Sequence, residues 1–144
     1  MLIAISILIL AYMIMGKDIE PLLKRVKDID WRSQKNALMD KLRPWATKAG
    51  RVATRPLLQF YYVMTDDATS TLDRVLVYAA IIYTISPVSV LPSAVYRFMG
   101  VLDEGAALLY VYNKVKDKIT PDINAKVEET LNAWFGPEYQ WIEG

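Results

Sequence analysis

The chain contains no cysteine and no histidine. The first absence excludes disulfides, thiolate metal sites and a thiol nucleophile. The second removes the commonest general base and the commonest transition-metal ligand. Any chemistry would rest on carboxylates, hydroxyls, lysine or tyrosine. None of these stands in a recognisable catalytic constellation, so no catalytic residue and no cofactor are expected. The 144 residues also lack internal repeats, low-complexity tracts and Gly/Ser linkers, which fits one compact helical unit with an anchor or tail. Hydrophobic residues make up 53% and charged residues 23%, a balance that allows a core and opposes global disorder.

The net charge is only +1, but it is unevenly spread. Residues 16–55 carry eleven basic and five acidic side chains; residues 56–144 carry six and eleven. A nearly neutral, apolar chain lacks the strongly basic footprint of a nucleic-acid binder. Its asymmetry points instead to a membrane surface, to an anionic partner, or to two subregions with different neighbours.

Residues 1–15 carry no charge, and only Ser6 and Tyr12 are polar. As a helix this run reaches about 22 Å, short of the roughly 30 Å hydrocarbon core of a bilayer. A signal peptide would need a basic start and a small-residue cleavage site. A core helix would ordinarily show polar positions on one face. A retained N-terminal anchor would be followed by basic residues, and Lys17, Lys24, Arg25 and Lys27 supply them. The anchor over residues 1–16 is therefore the expectation, with those four cations at the lipid surface and the bulk of the chain on the cytoplasmic side.

Residues 17–64 read as basic amphipathic helices. Asp18 and Pro21 open the first, whose apolar face is Leu22, Leu23, Val26 and Ile29. A second runs over residues 33–43, with Pro44 expected to kink or restart it. Lys41, Arg43, Lys48, Arg51 and Arg55 have no acid among them, which suits either a solvated face or anionic headgroups. Residues 56–64 are aromatic and apolar. Thr65, Asp66 and Asp67 mark a break, after which Ser70 or Thr71 caps a helix over residues 72–85. No charge occurs over residues 75–96, yet Pro87 and Pro92 interrupt the run. A straight span is thus replaced by a helix, a proline-bounded turn and a second helix from about residue 101 to 116. Thr120 and Pro121 begin a last helix, with Ile123, Val127, Leu131 and Trp134 on one face and Gly136 at its end. The overall expectation is an all-α fold in which an anchor helix precedes a small bundle. Residues 65–119 would form the hairpin and residues 120–144 the C-terminal helix and tail.

The hairpin motif reads Ser86, Pro87, Leu91 and Pro92, followed by Gly100, Leu102 and Asp103. Over residues 72–116 this resembles the YkvA-like family, a bacterial domain of unknown function built on a helical hairpin. The family pattern carries four acids. Here Ser89 and Ser93 replace two of them, and Asp103 and Glu104 remain. The resemblance implies a fold more than an activity. Four facing acids could hold a divalent cation through oxygen ligands, and Asp103 and Glu104 are the reduced remnant of such a set. Near a helix start, carboxylates also serve the helix dipole without any metal.

Three functions follow as expectations. The first is a non-catalytic accessory or scaffold subunit of a bacterial inner-membrane assembly, whose partners are lipid and other protein subunits. Its contact residues would include Trp134, Tyr139 and Trp141, with residues 56–64 and the hairpin as further surfaces. The second is a divalent-metal-dependent enzyme or regulator using Asp103 and Glu104. The third is a peripheral regulator that binds anionic lipid.

Overall fold

The computed structural model describes residues 2–86 and 104–136. The described residues are helical, in the order α1 (Leu2–Ile14), α2 (Glu20–Arg25), α3 (Trp31–Ala49), α4 (Arg51–Thr65), α5 (Thr71–Ile85), α6 (Glu104–Val115) and α7 (Pro121–Phe135), with a 3-10 turn over Lys116–Lys118 between the last two. The all-α expectation is met.

Helix α5 is the axis of the bundle. It packs against α1, α3, α4 and α6, while α7 lies on the far side of α4. All nine residues from Val75 to Tyr83 are buried. A helix apolar around its whole circumference must be covered on every side. Its ends are set locally. The Ser70 side chain accepts from the Asp73 amide at 3.2 Å. At the other end Ser86 adopts an extended backbone (φ −89°, ψ 131°), as the residue before a proline must. Helices α5 and α6 pack together; the turn expected between them around Pro87 and Pro92 lies outside the described residues.

The run expected as an anchor forms a helix packed on the bundle. Helix α1 has 13 residues, so it is about 20 Å long. No described helix is long and apolar enough to cross a membrane. Helix α1 instead lies along α5, with Ile7, Ile9, Leu10 and Ala11 fully buried. It shows no polar face because none of its residues is left exposed.

Three further expectations shift. Helix α3 starts earlier than residue 33, because the Asp30 side chain accepts from the Arg32 amide at 3.1 Å. It also runs unbroken through Pro44 to Ala49. The carbonyl deprived of its partner belongs to Asp40, four residues back, and both residues are exposed. That carbonyl is open to solvent rather than buried, so losing its helical partner costs little and the helix continues. The actual break is Gly50, whose φ of 94° is open to glycine and costly for other residues. It separates α3 from α4 and turns the chain back on itself. In α4 the aromatic stretch expected as a contact surface is largely core: Leu57, Leu58, Phe60, Tyr61, Val63 and Met64 are buried.

Burial raises the phenols of Tyr61 and Tyr78 above their ordinary value of 10.0, with nearby Tyr62 adding to the effect at Tyr61. The unfolded chain ionises these groups near pH 10, while the folded chain keeps them neutral. Their contribution is therefore complete below about pH 10 and is lost as the pH rises through the folded values. The melting temperature should fall above about pH 10, and Tyr78→Phe should show a shallower fall when melts are compared across that range.

Candidate interaction groove

Helix α7 is defined by its own sequence. The Thr120 hydroxyl oxygen accepts from the Ile123 amide at 3.3 Å. Pro121 fills the first turn, and Gly136, with φ 86°, ends the helix. Ile123, Val127 and Leu131 are spaced by four and all buried, so they form the stripe that seats α7 on α4.

Beside this stripe runs a polar ladder. Arg51 donates to the Asn132 side-chain oxygen at 2.7 Å and to the Gly136 carbonyl at 2.9 Å. Arg55 forms an ion pair with Glu128. Gln59 donates to the Asn124 side-chain oxygen at 3.1 Å. Successive rungs are four residues apart on both helices and run in opposite directions, which fixes α4 and α7 as an antiparallel pair in one register. Arg43 on α3 adds a fourth contact, its guanidinium carbon 5.8 Å from the centre of the Trp134 ring. Three of the five cations assigned to a solvated or lipid-facing stretch thus hold α7. Lys41 and Lys48 remain exposed. The spacing of Arg51, Arg55 and Gln59 against Asn124, Glu128 and Asn132 was present in the sequence as the signal for this pairing.

The ionic rung can be tested with salt. Arg55 and Glu128 have side chains 36% and 41% exposed, so the pair contributes at most about 1 kcal/mol and is screened by salt. The two bonds that Arg51 donates to α7 are charge-assisted and should contribute about 1.5 kcal/mol or more. In urea unfolding, Arg55→Ala should lose most of its effect at about 1 M salt, where the Debye length is about 3 Å.

On the other flank of α7 lies an open groove of about 530 Å³. Met39 and Arg43 of α3 form one wall, Tyr62 and Thr65 of α4 the floor, and Lys126, Glu129, Thr130, Ala133 and Trp134 of α7 the other wall. The Tyr62 and Thr130 hydroxyls are hydrogen bonded at 2.6 Å, and the Tyr62 ring stands edge-on to Tyr61 at 5.1 Å. The floor is therefore fixed. The groove offers two aromatic rings, Trp134 and Tyr62, with a methionine, two cations and one carboxylate.

Among the residues expected to act, Trp134 lies in this groove and is half-buried. Tyr139 and Trp141 lie outside the described residues. Lys17, Lys24, Arg25 and Lys27 are exposed. The Lys17 ammonium is 5.6 Å from the Tyr12 ring centre, and Lys24 and Lys27 border a hollow with Glu20, Leu23 and Thr71. Ser86 closes α5 and Glu104 is the first residue of α6. Pro87, Leu91, Ser89, Pro92, Ser93, Gly100, Leu102 and Asp103 lie outside the described residues. Among the described residues, no three acids stand close enough to share a metal ion. Compared with known proteins, the chain matches no family model, no curated protein and no solved structure.

Proposed function

We propose that this protein is a non-catalytic accessory or scaffold subunit at the cytoplasmic membrane of a bacterium, working by binding another protein in the groove between α3, α4 and α7. The observation that carries this reading is Trp134, half-buried under Arg43 on the wall of an open groove lined by residue types that protein interfaces favour. A fixed floor and a rigid helix pair reduce the ordering cost of binding. The absence of histidine and cysteine from the whole chain favours binding over catalysis. Membrane association is supported by the exposed cations Lys17, Lys24, Arg25 and Lys27. Kinship with the YkvA-like family is part of the same proposal and rests on Ser86 and the motif residues that follow it.

The test is site-specific photo-crosslinking in cells, with the reactive group at Ala133 in the groove or at exposed Asp28 beyond α2. A single protein joined at position 133 and not at 28 is the expected result. Equal labelling of the same proteins from both positions, or none from 133, overturns the groove as the binding site.

A further inference from the structure

Of the described residues, three large hydrophobic side chains are well exposed: Val52 at 87%, Leu109 at 62% and Tyr112 at 41%. Val52 stands on α4. Leu109 and Tyr112 are three residues apart on α6, which puts them on one face. Helix α6 buries Ala107, Val111 and Val115 and packs on α5. Its other face presents Gly105, Ala106, Leu109, Tyr112 and Asn113, and residues 105–113 carry no charge. Three exposed lysines follow at once, Lys114, Lys116 and Lys118, with Asp117 the one acid among them. The Lys114 ammonium is 5.6 Å from the Tyr110 ring centre.

We propose that α6 is the face on which the protein lies against an anionic lipid bilayer. The inference rests on the membrane-associated reading above and names its contact surface. Leu109 and Tyr112 enter the boundary between headgroups and acyl chains, and the three lysines meet the anionic headgroups beside it. An uncharged stripe bordered by tyrosine and lysine is the composition that settles in a bilayer interface. Two large apolar side chains fall far short of the roughly 800 Å² per partner that a stable protein interface buries. Interfacial lipid binding needs only such a small wedge combined with basic charge.

The test uses the full chain and vesicles of phosphatidylcholine, with or without about one third phosphatidylglycerol. The wild type should co-sediment with the anionic vesicles. Leu109→Glu combined with Tyr112→Glu should weaken this by more than about tenfold, and so should changing Lys114, Lys116 and Lys118 to Gln. Val52→Glu should leave it unchanged. Because the chain has no cysteine, Leu109→Cys carries a polarity-sensitive fluorophore at one site, and its emission should shift to the blue on anionic vesicles while a label at Val52→Cys does not. If the wild type binds vesicles and the α6 variants and label behave like the controls, α6 is not the contact and the membrane reading stands. If the wild type stays off both kinds of vesicle, the membrane reading falls as well. If the α6 variants instead change the mass of the lipid-free protein in sedimentation, the face joins protein copies and the lipid inference is wrong.

Discussion

Leu10→Ala should lower the free energy of unfolding by about 2–5 kcal/mol, as truncation of a fully buried leucine does. Leu10 has no exposed surface and belongs to the core shared with α5. Truncation removes the transfer energy of the lost carbons and leaves a cavity that α5, buried on every side, cannot collapse to fill. Ser6, on the same helix, should respond in the opposite direction. Three polar residues are buried in the described structure: Ser6, Thr54 and Thr69. The Thr54 and Thr69 hydroxyls donate to the carbonyls of Gly50 and Val63 at 2.7 and 2.6 Å. The Ser6 hydroxyl is buried without a partner. A buried hydroxyl left unpaired costs about 1–3 kcal/mol, so Ser6→Ala should raise stability by about 1 kcal/mol. Both changes are read from urea or thermal unfolding of the full chain followed by circular dichroism. An α1 lying apart from the bundle would leave the unfolding of the other helices unchanged in both variants.

The second large effect is expected in the groove. Trp134→Ala should weaken binding of the crosslinked partner by about thirtyfold or more, the 2 kcal/mol that marks an interfacial anchor. The tryptophan supplies the groove's largest apolar surface, and Arg43 holds it in place. Trp134 also packs against the core, so a second change separates folding from binding. Ala133 is exposed on the same wall. Ala133→Glu removes no internal contact and should stay within about 0.5 kcal/mol of wild-type stability. It nevertheless places a charge in the groove and should weaken binding at least tenfold, since an unpaired charge must be desolvated on docking. Affinity measured by titration and stability measured by unfolding decide the matter together. Wild-type affinity in Ala133→Glu, with Trp134→Ala weakened only in step with its loss of stability, would remove the groove from the function.

What the sequence determined by itself is the set of features closed within a few residues of chain. Ser70 and Thr120 cap their helices with their own hydroxyls, Gly136 stops α7, and Ser86 before Pro87 stops α5. Each depends on a local hydrogen bond or a local steric limit, so each is legible in a short window. The stripe Ile123, Val127 and Leu131 is legible for the same reason, since helical spacing alone sets which residues share a face. The tertiary structure decided where apolar runs and long charged side chains go. Burial is favourable and non-directional, so the sequence of α1 is satisfied equally by a bilayer or by α5; only the need of α5 for cover selects the second. Residues 56–64 became core for the same reason. Arg43, Arg51 and Arg55 look like a solvated basic face until α7 brings Trp134, Asn132 and Glu128 beside them. The partners of Arg51 and Arg55 lie more than seventy residues away along the chain. A guanidinium's choice between water, lipid phosphate and a distant carboxylate is a comparison of environments that no local window contains.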